Sequence, residues 1–199
     1  MGAAIRKEEF YRMSETGKRI YTTTDIEALP EGVRAELLEG EMYMMACPST
    51  THQLVLMWLS SQIFRKIFEK GGKCKVIPAP MAVYLKNDDK NYVEPDITVI
   101  CDLDKLDIKG CQGAPDWVIE IISPSSKRMD YYLKLHAYEE AGVREYWVID
   151  PEKKSVVVYH LENNESPALY HFADIVPVRI LEEMEIEFAG MEAYCYGKY

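Results

Sequence analysis

Several common functional classes are excluded by what this sequence lacks. Its five cysteines (Cys47, Cys74, Cys101, Cys111 and Cys195) are odd in number, scattered, and never spaced as CxxC. That distribution suggests neither a zinc knuckle nor a disulfide framework, so reduced thiols are expected. No long apolar run occurs, and the stretch from Met1 to Phe10 has no apolar leader segment, so a cytoplasmic protein with no membrane partner is expected. His52, His136, His160 and His171 form no HExxH or other zinc spacing. GxSxG elbows, Walker loops and GxGxxG turns after a strand are also missing, which removes the motifs of triad hydrolases, triphosphatases and dinucleotide enzymes. No repeat, low-complexity tract or linker divides the chain.

What is present is one domain's worth of core. The 199 residues are 48% apolar, enough for a single globular unit. Residues 1–21 are polar and weakly patterned and read as a loosely structured arm; residues 22–199 read as the domain. The net charge of −10 counts against a nucleic-acid partner at first sight, but it is unevenly spread. Residues 139–199 carry 13 acids against 5 bases, leaving the rest nearly balanced. Arg65, Lys66, Lys70, Lys73 and Lys75 form a local basic cluster opposed only by Glu69. Such a surface can contact phosphates, or it can be a solvated helix end.

Periodicity supplies the elements. Leu56, Leu59, Ile63 and Ile67 recur at helical spacing, predicting a helix from Thr51 to Lys70 stopped by Gly71-Gly72. Ala35–Met45 reads as a hairpin turning at Glu39-Gly40. Strands are predicted near Lys73–Ile77, Met81–Leu85, Ile97–Cys101 and Trp117–Ile122. A second helix is predicted over Lys127–Ala141, capped by Ser125 or Ser126 and ended by Gly142. Glu145–Ile149 and Ser155–His160 form a further hairpin, with edge strands around Tyr170 and Ile186. The result is a mixed α/β (α+β) domain, a central sheet flanked by helices.

Three residues sit where folding rules alone would not put them. Asp96 opens the β-branched run Ile97-Thr98-Val99-Ile100 after Pro95. Glu120 interrupts the apolar strand Trp117-Val118-Ile119-Glu120-Ile121-Ile122. Period-two geometry puts Trp117, Ile119 and Ile121 on one face and Val118, Glu120 and Ile122 on the other. Both faces are apolar, so the strand is central, and a carboxylate inside it needs a partner or a cation. Lys134 follows on the next helix.

The motifs Pro95-Asp96, Gly113-Ala114-Pro115-Asp116-Trp117-Val118-Ile119-Glu120-Ile121-Ile122-Ser123-Pro124-Ser125, Asp130…Lys134…Tyr138 and Gly142-Val143-Arg144-Glu145-Tyr146-Trp147-Val148-Ile149-Asp150-Pro151 resemble the Uma-two family of the PD-(D/E)XK nuclease superfamily. Glu36-Leu37-Leu38-Glu39-Gly40-Glu41 and Pro48-Ser49-Thr50-Thr51-His52 extend that resemblance to residues 22–190. It implies a restriction-endonuclease-like αβββαβ core, with the amino-terminal hairpin and carboxy-terminal strands as additions. It also implies a metal-dependent endonuclease acting on DNA. Asp96 and Glu120 would bind Mg²⁺ or Mn²⁺ with the backbone carbonyl of Ile121, and Lys134 would act as the catalytic lysine. That lysine normally stands two residues after the second acid, where this chain has Ile122. His52, Glu36 and Asp130 are candidates for supporting roles, and a homodimer is suggested by analogy with restriction nucleases.

Other readings of the same residues stay open. Glu120 and Lys134 can form a buried ion pair without metal, and Lys134 can pair with Asp130 on the helix surface. His52 can be a hydrogen-bonded structural residue. Tyr131, Leu135 and Tyr138 share a face and read as core. The alternative to an enzyme is a catalytically degenerate nuclease fold used for binding or assembly.

Overall fold

The alternation between Trp117 and Ile122 decides the middle of the molecule. A strand apolar on both faces must be covered on both, and in the computed structural model this strand is buried along its whole length. The structure describes residues 19–86, 88–123, 126–163 and 165–197. Most of the expected amino-terminal arm therefore lies outside the described residues.

In chain order the first half forms α1 (Thr23–Glu27), β1 (Ala35–Leu38), β2 (Glu41–Met44), α2 (Thr50–Glu69), β3 (Lys75–Pro78), β4 (Val83–Tyr84), β5 (Tyr92–Val93) and β6 (Ile97–Ile100). Then come β7 (Leu106–Asp107), β8 (Gly110–Gln112), β9 (Trp117–Ile121), a π-wound turn (Met129–Lys134) and α3 (Leu135–Ala141). The chain continues through β10 (Glu145–Asp150), β11 (Ser155–His160), β12 (Ala168–His171), β13 (Ile175–Val178), β14 (Met184–Glu187) and α4 (Ala189–Tyr196).

The central sheet has the order β12-β11-β10-β9-β6-β3. Strands β3, β6 and β9 are antiparallel neighbours, and β10 joins β9 in parallel after the crossover through α3. With α2 ahead of β3, this is the expected αβββαβ core. Trp117, Ile119 and Ile121 pack with Val55, Leu59 and Ile63 of α2 and with Phe188 and Met191 near the carboxy terminus. Val118 and Ile122 face the other way, into a cluster with Val83, Val93, Tyr138 and Tyr146. Ser49 caps α2 by accepting a hydrogen bond from the His52 amide, which fixes His52 in the helix's first turn.

The expected edge strand around Ile186 instead pairs with β13 in a separate two-stranded sheet, and three further features depart from the sequence reading. First, the amino-terminal hairpin is part of a second six-stranded sheet, β2-β1-β5-β4-β8-β7, which takes the Met81–Leu85 strand away from the central one. Strands β5, β7 and β8 are two or three residues long, too short to show a period. Second, β3 and β6 pair Lys75 with Ile100, so Cys74 and Cys101 are the next cross-strand partners and form a disulfide. The expectation that all five thiols are reduced is corrected: pairing of distant strands, invisible in cysteine spacing, brings these two together. Cys47, Cys111 and Cys195 are free. Third, the helix expected over Lys127–Ala141 contains the π-wound turn before its α-helical part. It stops at Gly142 with φ 93°, a left-handed conformation suited to glycine. Of its two expected caps, Ser125 lies outside the described residues, and the Ser126 hydroxyl instead accepts from the Ser123 amide.

Candidate active site

Antiparallel pairing of β6 and β9 sets Ile97 opposite Ile119, and this register brings Asp96 beside Glu120. The Asp96 amide lies 3.4 Å from Glu120 Oε2, and Asp96 Oδ2 accepts from the Ile121 amide at 2.7 Å. From the helix side, Lys134 Nζ reaches Glu120 Oε1 at 2.9 Å and both oxygens of Glu36 at 2.9 Å. Asp130 is more distant, 3.9 Å from the same nitrogen. Glu36, on β1, also accepts from the Glu94 amide at 2.9 Å. Lys134 is therefore no surface partner of Asp130. Its side chain is 5% exposed and enclosed by acids.

Charge in this cluster is unbalanced. Glu36, Glu120 and Asp130 are buried with Asp96 close by, and Lys134 is the one ammonium among them. Burial pushes the Glu120 carboxyl well above its ordinary range, against the pull of Lys134; Asp96, Asp130 and Glu36 push the same way as burial. Asp130 is also raised by burial, with Lys134 opposing. Burial works to lower Lys134, but Glu120, Glu36 and Asp130 outweigh it and hold the ammonium charged.

His52 approaches from the start of α2, with Nε2 3.1 Å from Asp96 Oδ2. Burial lowers its pKa, but the hydrogen bond and charge of Asp96 outweigh burial and raise it above the usual histidine value. These residues line an open cleft of about 770 Å³ that also exposes Ile121, Ser126, Met44, Met45 and Tyr196. All six side chains singled out from the sequence (His52, Glu36, Asp96, Glu120, Asp130 and Lys134) line this one cleft. The basic cluster does not. It gathers around the carboxy-terminal end of α2, roughly 20 Å or more along the helix from His52.

Two participants were missed. Tyr138, read as core, donates its hydroxyl to Glu120 Oε1 at 2.6 Å. Asp130, Lys134 and Tyr138 recur every four residues, and that spacing was the available signal. Glu94 holds the rim, accepting from Tyr92 Oη at 2.8 Å and Arg34 Nε at 2.7 Å; its place two residues before Asp96 was the only hint. Among the described residues no three His, Cys, Asp or Glu side chains converge closely enough to hold a metal by themselves. Magnesium keeps several waters and needs only one or two carboxylates, and a divalent cation would offset the buried negative surplus. The donor set fits such an ion.

A family model described as "Putative restriction endonuclease", Uma2, matches residues 23–189. The chain belongs to the Uma2 family. Among curated proteins it is similar to an uncharacterised Synechocystis protein, slr1290, with 27% identity over 128 residues, 63% of this chain. It spans 65% of that relative's length. Among solved structures it resembles the crystal structure of a "putative nuclease belonging to DUF820" from Anabaena variabilis. The TM-score is 0.70 at 20% identity, covering 87% of this chain and 98% of the other. That likeness establishes a shared fold for this Uma2 member. No helix among the described residues is long and apolar enough to cross a membrane.

Proposed function

We propose that this Uma2 protein is a metal-dependent endonuclease that hydrolyses phosphodiester bonds in DNA. The observation that carries the reading is the meeting of Asp96 and Glu120 across adjacent strands, with Lys134 Nζ 2.9 Å from Glu120. Asp96 and Glu120, with the carbonyl of Ile121, are the ligands for Mg²⁺ or Mn²⁺. Such an ion, when bound, supplies charge neutralisation at the phosphoryl oxygens and a more acidic attacking water. Lys134 offsets negative charge developing at the phosphate, and Glu36 holds its ammonium from the far side. His52 orients Asp96.

A second reading rests on Lys134 itself. Its ammonium is enclosed by Glu36 and Glu120 and nearly inaccessible, and Ile122 occupies the usual lysine position. A closed ion-pair cluster of that kind suits a degenerate nuclease fold that binds or assembles without cutting.

Mn²⁺ titration calorimetry on wild type and Asp96→Asn, followed by cleavage assays on duplex, single-stranded and branched DNA, separates the two. The enzyme reading expects saturable binding in the wild type, weakened by roughly tenfold to a hundredfold or more in the variant, and Mn²⁺-dependent cleavage lost with it. Absence of both binding and cleavage in the wild type would sink the enzyme reading and leave the ion-pair cluster.

A further inference from the structure

Asp96, just before β6, and Glu120, on β9, each have one oxygen that the protein fills and one that it leaves open. A carboxylate offers about two acceptor positions per oxygen. Glu120 Oε1 takes both the Lys134 ammonium at 2.9 Å and the Tyr138 hydroxyl at 2.6 Å. Among the described residues its Oε2 has only the Asp96 amide at 3.4 Å, beyond the usual range of an N–H···O bond. Asp96 Oδ2 takes the Ile121 amide at 2.7 Å and lies 3.1 Å from His52 Nε2, which donates to it because a carboxylate oxygen can only accept. Among the described residues no hydrogen bond reaches Asp96 Oδ1. The same division occurs twice, on neighbouring strands that face one cleft.

A carboxylate held this way cannot exchange its two oxygens without breaking two hydrogen bonds. We propose that Asp96 Oδ1 and Glu120 Oε2 are the oxygens presented to the divalent cation, with Tyr138 and His52 as the positioning residues that lock the two carboxylates; this rests on the metal-site reading above. Neither positioning residue touches the cation. Tyr138 is suited to the task because its ring is fully buried and packs edge-on against Tyr146, with centroids 4.9 Å apart. Packing, and no flexible stem, aims its hydroxyl. Ring and hydroxyl are also separable: Tyr138→Phe keeps the first and removes the second.

The test is Mn²⁺ calorimetry on the full chain, comparing wild type, Tyr138→Phe and Asp96→Asn, with melting temperatures recorded with and without metal. The expected result for Tyr138→Phe is binding about tenfold weaker, the scale on which removing a group that orients a metal ligand lowers affinity. Its metal-free melting point should fall, because a buried carboxylate oxygen loses a partner, and the rise produced by Mn²⁺ should shrink as well. A hydroxyl that only satisfies the buried carboxylate would lower the metal-free melting point and leave the affinity alone. If Tyr138→Phe binds as wild type does while Asp96→Asn does not, the positioning role is overturned and the metal site stands. A wild type that binds no Mn²⁺ removes both. His52→Ala, on the more exposed side of the cleft, is expected to weaken Mn²⁺ in the same way and keeps the question decidable should Tyr138→Phe fail to fold.

Discussion

Lys134→Met is expected to destabilise the metal-free protein by about 3–5 kcal/mol at neutral pH, the cost of breaking a buried ion pair from one side. The ammonium touches Glu36 and Glu120 at 2.9 Å and stands 3.9 Å from Asp130. Methionine fills its stem's volume but leaves buried carboxylates facing each other. The deficit should depend on pH with a definite sign. Glu120 and Asp130 are already held above the ordinary carboxylate range in the folded protein, and losing the ammonium raises them further. Groups with a raised folded pKa bind more protons folded than unfolded, so stability grows as pH falls through that pKa. The deficit is therefore largest at neutral pH and shrinks toward the ordinary carboxylate range near about pH 4. Urea unfolding of both proteins at neutral pH and at about pH 5 measures this. A deficit that widens with acid would mean that Lys134 is not the counter-charge of these acids. Lost cleavage in this variant counts as evidence on catalysis only where folding and metal binding are intact.

Glu120→Gln is expected to do the opposite to stability while severely weakening metal binding. The amide oxygen can still accept from Lys134 and Tyr138 in the place of Oε1. What disappears is a negative charge that burial and three neighbouring acids already oppose. The metal-free variant should melt at or slightly above the wild-type temperature, and Mn²⁺ affinity should fall by at least about a hundredfold. Retained affinity would refute Glu120 as a ligand. A large loss of stability would refute the surplus of negative charge from which the cation site is argued.

The sequence carried the frame and most of the residues that line the candidate site, for reasons that can be stated. Trp117–Ile122 showed its two-sided burial because a central strand has no solvent face, and α2 showed its stripe because only one side of it meets the core. Glu120 stood out as a charge at a buried position. Glu36 did not stand out by pattern; the family resemblance singled it out, and its role depends on Lys134, 98 residues away. Tyr138 was hidden by its own packing, since a ring in the core and a hydroxyl on an acid produce the same helical spacing. The Cys74–Cys101 bond and the second sheet depend on register between distant segments, which residue composition does not encode. Strands as short as β5 leave no period to read.

Glu36 belongs to one six-stranded sheet and Glu120 to the other, and Lys134 bridges them. The acid cluster is thus also a mechanical joint. Whatever changes its charge changes how firmly the two halves of the molecule are held together. In hydrogen-exchange terms, β1, the Glu94 amide bound to Glu36 and the end of β9 are expected to open together. A cation arriving at Asp96 is expected to slow exchange at Glu94 and along β1, on the sheet that carries neither Asp96 nor Glu120.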